Sequence, residues 1–154
     1  MEGNREVKSQ LNNILKLELT AINQFFLHAR MCKNWGLNQL NEYEYRYSIK
    51  LMKQADKIIE RVLFLEGLPN LQSLGKLLIG ENVPEILSND LTIVGEITEN
   101  IRQSISLCET QQDYVSRDLL NELLEETEEE IDWLETQHWL IENSGLENYL
   151  QSMM

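Results

Sequence analysis

The sequence predicts an all-α fold: four long helices in a bundle, one long crossover between helices two and three, and a short C-terminal fifth helix. Two observations carry that reading. Only seven Gly and two Pro occur in 154 residues, and Leu, Ile, Glu, Gln and Lys recur at three- and four-residue spacing with no alternating β-branched run. The breakers that do occur fall between four long amphipathic segments.

The first helix is expected from about Arg5 to just before Gly36, and the second follows with Asn38 as its N-cap. Gly67, Pro69, Gly75, Gly80 and Pro84 then mark a linker, which as extended chain reaches about 50 Å. A third helix is expected from Pro84, a residue tolerated in a first turn, to about Thr110. The fourth runs from an Asp113 N-cap to about Asn143, and a tail helix from Leu146 to Ser152. The other connections are short and demand antiparallel neighbours, whereas the long linker can run the length of the bundle and make helices two and three parallel. Residues 1–154 read as a single domain.

Thirteen basic against 26 acidic residues give a net charge of −13, which disfavours nucleic acid and anionic membranes as partners. No apolar run reaches the roughly 20 residues of a membrane span, and Met1 to Glu6 lacks the apolar stretch of a signal peptide, so a cytoplasmic location is expected. Cys32 and Cys108 stand at no metal-ligand spacing and read as packed thiols.

Core rows follow from the helical period. Helix one offers Leu11, Ile14, Glu18, Ile22, Phe25, Ala29 and Cys32, and helix two Leu40, Tyr43, Tyr47, Leu51, Gln54, Ile58, Val62 and Leu65. Helix three offers Leu87, Leu91, Val94, Ile97, Ile101, Ile105 and Cys108, and helix four Leu120, Leu123, Thr127, Glu130, Leu134, His138 and Ile141. Glu18 and Glu130 therefore approach one core as carboxylates in need of partners. The acidic run from Glu125 to Glu130 otherwise reads as a solvated face, and His28 and His138 as surface or satisfied core residues. A second apolar stripe, Leu15, Leu19, Ile22 and Phe26 with Tyr45, Ile49, Met52 and Ile59, is turned away from the core and marks an association face.

Several segments then resemble bacterioferritin in order and spacing. They include Glu18-Leu19, Ala21 to Gln24, Phe26 to Met31, Lys33 to Leu37 and Phe64 to Gln72. Asp113 to Asp118, Ile131 to Thr136 and Asn148 to Gln151 continue the match over essentially the whole chain. The resemblance implies a ferritin-like bundle assembled into a cytoplasmic 24-subunit shell that stores a ferric mineral. It implies haem b shared across a two-fold interface and ligated by a Met from each subunit. Met52 occupies that position; Leu19, Ile22, Asn23, Phe26, Tyr45, Ile49, Lys53 and Leu71 occupy the haem-lining positions. The family's small ferredoxin is expected to dock near Leu68, Pro69, Leu77, Glu81 and Glu85.

The family's di-iron site needs a Glu from each of two helices and a Glu-x-x-His pair from each of the others. By the same register Glu18 survives, but the remaining positions hold Leu51, Gln54, Val94, Thr127 and Glu130. Five of six ligands are replaced. Leu51 and Val94 cannot bind a hard cation, and Arg46 and Lys50 add positive charge. The residual acids Glu18 and Glu130 are expected to be neutralised by Lys50 or Arg46 through salt bridges. Phe25 also stands where many relatives have Tyr.

The sequence-based expectation is a haem-carrying iron-storage subunit with no catalytic residues of its own. It would co-assemble with ferroxidase-competent subunits and deliver electrons for mineral reduction and iron release. The alternative is a ferroxidase working through a rebuilt site at Glu18 and Glu130.

Overall fold

The computed structural model describes residues 1–154. Its helices are α1 (Arg5–Asn34), α2 (Asn38–Phe64), α3 (Val83–Thr110), α4 (Tyr114–Ser144) and α5 (Leu146–Ser152), with no strand. Three of the long helices start on side-chain caps, which satisfy backbone N–H groups that no helical carbonyl can reach. The Asn4 side chain accepts from the N–H groups of Glu6 and Val7, and that of Asn82 from Glu85. Asp113 accepts from the Ser116 N–H at 3.0 Å, as its sequence position predicts.

Two starts differ from expectation. α2 begins at Asn38 itself, and the N-cap position belongs to Leu37, which makes no side-chain cap bond. The reason lies in the turn: Gly36 takes a φ of 80°, and the Leu37 N–H bonds back to the Cys32 carbonyl at 2.9 Å. That tight return drives Leu37 into the core instead of leaving room for a polar cap. α3 begins one residue before Pro84, because Asn82 takes the cap and Pro84 needs no N–H in the first turn.

Three contacts fix the topology. Asn4 Nδ2 donates to Gln111 Oε1, and the His28 ring lies against Asp90 at 2.9 Å, so α1 and α3 run antiparallel. Arg61 reaches Asp113, placing the end of α2 beside the start of α4. α2 and α3 are therefore parallel, and the chain between them must travel the length of the bundle.

Residues on α1 hold that crossover in place. The Asn12 side chain bonds Leu68 and Asn70. Thr20 Oγ1 accepts the Gly75 N–H, Gln24 Oε1 the Leu78 N–H and His28 Nε2 the Gly80 N–H, at 2.7, 3.0 and 3.0 Å. These anchors recur at successive turns, and from Asn12 to His28 the strap follows α1 for roughly 24 Å. Extended backbone laid against a helix must find hydrogen-bond partners, and this row supplies them.

Inside, 27 buried residues form one core cluster, with α5 closing an end through Tyr149, whose hydroxyl donates to Gln137 at 2.8 Å. The expected core rows hold with one clear exception. Tyr43 is exposed, its ring lying 4.8 Å from that of Trp133 on the bundle's flank. Its neighbour Glu44 goes inward instead.

Candidate metal centre and haem face

The second stripe stands outside the core except at Leu15, which the packing of the neighbouring helices buries fully in the core cluster. Met52 is 52% exposed, and Phe26, Tyr45 and Leu71 are exposed with it, while Leu19, Ile22 and Ile49 are half-buried. Asn23 and Lys53 add polar groups at the border of this surface. Arg30 lies 5.1 Å from the ring centres of both Phe26 and Tyr45, fixing two of the aromatic walls. A soft thioether amid aliphatic and aromatic side chains is a donor set that suits haem iron and a flat apolar macrocycle. These residues fit the group.

The position of the family's di-iron centre has a different character. Leu51 and Val94 are fully buried members of the core cluster, and Thr127 spends its hydroxyl on the Leu124 carbonyl at 3.0 Å. Gln54 donates its amide to Glu126 Oε2 at 2.7 Å, joining α2 to α4. Glu126 was not singled out in the sequence, where it belonged to a run read as solvated. In the structure Glu125, Glu128 and Glu129 keep that solvated face, while Glu126 and Glu130 turn partly inward. A side-chain donor at Gln54, one turn from Lys50 and Lys57, is the signal that could have found it. Two core aliphatics in this donor set do not fit a di-iron cluster.

The expected salt bridges do not form. Arg46 pairs with Glu42 at 3.4 Å on the surface, Lys50 pairs with no carboxylate, and both oxygens of the fully buried Glu18 lack a hydrogen-bond partner. Neutralisation comes from protonation instead. Burial pushes the Glu18 carboxyl well above its usual range, and the neighbouring Glu126 pushes it further. Burial and Asp90 lift Glu130 to about 8 against the opposing pull of Lys50. A cationic side chain would have to be desolvated to reach Glu18, whereas a proton needs no space. Tyr47 completes the centre, with its ring 4.9 Å from Phe25 and its phenol pushed up by burial and by Glu130 and Glu18. It places a phenol in this core although Phe25 has none.

A second acidic group lies next to Glu130 in the same core, since Asp90 is close enough to raise the Glu130 pKa. His28, Glu44 and Asp90 are all buried, with one polar atom of each within 4.8 Å of the others. Because His28 Nε2 accepts the Gly80 N–H, the ring proton sits on Nδ1 and is donated to Asp90 Oδ1. Neither nitrogen then keeps a free lone pair for a metal. Gln24 donates to the same Asp90 oxygen. Burial, then the charge of Asp90, push the Glu44 carboxyl well up. The group anchors the crossover, and both Glu44 oxygens and Asp90 Oδ2 stay buried without a hydrogen-bond partner. The sequence row Thr20, Gln24, His28, one polar side chain per turn beside the core row, was the legible sign of it.

Of the residues expected at a docking surface, Leu68, Leu77, Glu81 and Glu85 are exposed and Pro69 is half-buried. Glu85 also has local work, since its Oε2 accepts the Glu81 N–H at 3.0 Å at the start of α3. No helix is long and apolar enough to cross a membrane.

Residues 8–144 match the family model for the ferritin-like domain. The chain is 43% identical over 155 residues to a bacterial ferritin of Synechocystis sp., covering 100% of this chain and 99% of that protein. It is 43% identical over 151 residues to a bacterioferritin of Brucella melitensis, covering 98% of this chain and 94% of the relative. A bacterioferritin of Mycolicibacterium paratuberculosis is 41% identical over 149 residues, 97% of this chain and 94% of the relative. With these likenesses running the length of a five-helix bundle, the chain belongs to the bacterioferritin family of iron-storage proteins.

Proposed function

We propose that this chain is a single-domain, haem-carrying subunit of a cytoplasmic 24-subunit shell that has given up its own ferroxidase centre. It would co-assemble with ferroxidase-competent ferritin or bacterioferritin subunits. One contrast carries the reading: Met52 stands exposed among aromatic and aliphatic side chains, while Leu51 and Val94 are sealed into the core where two carboxylate ligands would be needed.

Met52, paired with a second copy across a two-fold axis, would ligate haem b; Leu19, Ile22, Asn23, Phe26, Tyr45, Ile49, Lys53 and Leu71 would wall it. When bound, that group supplies one-electron redox chemistry. The chain's part is to present the thioether, exclude water with Phe26 and Tyr45, and hold the partner subunit against the same face. Leu68, Pro69, Leu77, Glu81 and Glu85 would offer a reductant, a ferredoxin of the family's kind, an apolar and acidic surface. Electrons so delivered would serve reduction of the ferric mineral and iron release.

A specific observation also favours a second reading. Glu18 has two buried oxygens without partners, with Glu126 close enough to raise its pKa and Glu130 half-buried on the same core. Ferrous iron that displaced their protons would be a substrate for oxidation at a rebuilt carboxylate site.

Oxygen uptake by the purified, haem-loaded chain after a few ferrous ions per subunit separates the two. Background rates support the haem-carrying subunit. A rapid saturable phase that Glu18→Ala abolishes would establish the rebuilt ferroxidase instead. The haem assignment is read separately from Met52→His, which should change the haem spectrum; an unchanged spectrum removes Met52 as ligand. Shells from the native cell that held this chain alone would remove co-assembly.

A further inference from the structure

We infer that the cleft on the α2–α4 flank, between Tyr45 and Lys57, is a binding site for a small oxyanion of the phosphate class. The cleft has a volume of about 560 Å³, and Arg46, Lys50, Lys53 and Lys57 line it around Ile49 and Gln54. Their spacing of four, three and four residues puts all four cations on one helical stripe roughly 16 Å long. The stripe is turned away from the core row, and through Lys53, with Tyr45 and Ile49 on the cleft wall, it adjoins the face that carries Met52.

Such a cluster is unusual for this chain. With 26 acidic and 13 basic residues, the summed field is negative, yet four of the cations are gathered on three turns. Like charges at one-turn spacing repel, so the arrangement is unfavourable unless anions offset it. The protein supplies little of that offset. Arg46 reaches Glu42 at 3.4 Å and Lys57 reaches Glu122 at 3.6 Å, both at solvent-exposed positions where pairs contribute little. Lys50 and Lys53 pair with no carboxylate at all. The one acid lining the cleft, Glu126, already accepts the Gln54 amide on Oε2. That bond sets the orientation of the amide and leaves Gln54 Oε1 buried without a partner.

The surroundings restrict what can occupy the cleft. Acidic residues border it on α4, among them Glu122, Glu129 and Glu130. A long polyanion would have to cross them, whereas a compact tetrahedral oxyanion can stay among the ammonium groups and the Arg46 guanidinium. Lysine and arginine bind phosphate oxygens through short charge-assisted hydrogen bonds. The carboxylate groups of a haem lying against the adjoining Met52 face share this oxyanion chemistry, so they are the competing occupant.

The test is equilibrium dialysis of inorganic phosphate against the full-length assembled protein at low ionic strength and neutral pH, in haem-free and haem-loaded preparations. Saturable binding is expected in both. Lys50→Gln with Lys57→Gln should weaken it about tenfold or more, since two charge-assisted contacts are removed. Lys16→Gln with Lys33→Gln, which remove the same total charge elsewhere on the surface, should leave it unchanged. Circular dichroism of each double variant checks the helices, and both changed pairs lie outside the core. Absence of saturable binding, or equal weakening in both double variants, overturns the site. Loss of phosphate binding on haem loading gives the cleft to the haem carboxylates and overturns phosphate as its occupant.

Discussion

Gln54 and Glu126 face each other across the α2–α4 gap, with 2.7 Å between the amide nitrogen and the carboxylate oxygen. This pair links the two helices where the family's centre would place metal ligands. A hydrogen bond to a carboxylate contributes about 1.5–3 kcal/mol, so Gln54→Ala should lower the urea midpoint by a corresponding amount. Gln54→Glu should be worse than Gln54→Ala, because it sets a second acid against Glu126 with no donor between them. Midpoints unchanged from the parent's in both variants would show that the pair contributes nothing.

Glu18 and Glu44 are buried, and the pKa of each is raised in the folded protein; Glu130 rises to about 8. A carboxyl with a raised folded pKa binds its proton more tightly when folded. Its contribution is complete below the unfolded value near 4.5 and is lost as pH rises through the folded value. Stability should therefore fall between pH 5 and pH 9. Glu18→Gln, neutral at every pH, should flatten that decline and gain about 1 kcal/mol at the alkaline end. Chemical denaturation at several pH values measures it, and a slope unchanged by the substitution would refute protonated Glu18.

Arg61 and Asp113 supply the opposite pH dependence at low pH. Their groups are 2.8 Å apart and mostly buried, and Arg61 also donates to Ser116. Burial pushes the Asp113 carboxyl up, but hydrogen bonds from Ser116 and Arg61 outweigh it and hold the carboxyl below its usual range. That stability is present above the unfolded pKa and lost as pH falls through the folded one. Arg61→Lys keeps the charge but not the two-directional fork, and should still cost about 1–2 kcal/mol.

The crossover strap should loosen when its anchors are removed one at a time. Thr20→Val, Gln24→Leu and His28→Leu each remove the acceptor for one backbone N–H, at Gly75, Leu78 and Gly80. Hydrogen exchange of the matching amide should accelerate at least about tenfold, with smaller effects on the other two. His28→Leu should act furthest, because it also frees Asp90 beside Glu44. Uniform acceleration along the strap in all three variants would mean that the anchors act only as one unit.

Restoring the family's ligand set tests whether its replacement has removed iron oxidation from this chain. The combination Leu51→Glu, Gln54→His, Val94→Glu, Thr127→Glu and Glu130→His, added to Glu18, should create saturable ferrous oxidation absent from the parent. Two core aliphatics become acids, so stability without metal should fall and ferrous or cobaltous ions should recover part of it. Equally rapid, saturable oxygen uptake before and after would show that the parent chain already oxidises iron, and background rates in both would show that the five ligands do not suffice.

The amino-acid sequence by itself determined the five helices to within a residue or two, the core rows and the parallel placement of α2 and α3. Periodicity, caps and one linker long enough to span the bundle are local properties, readable without contacts. It also marked Met52 and its apolar neighbours as a separate face, since their stripe does not coincide with the core row. Only the tertiary structure decided how the buried acids are neutralised. Glu18 carries the same letter whether it meets Lys50, a metal or a proton, and it is burial without a partner that raises its pKa. Packing likewise drew Glu126 out of an acidic run, turned Tyr43 out and Glu44 in, and set the His28 ring between Gly80 and Asp90. Those outcomes depend on side chains from different helices meeting in a low-dielectric interior, where the cost of a charge depends on its surroundings rather than on its own position in the chain.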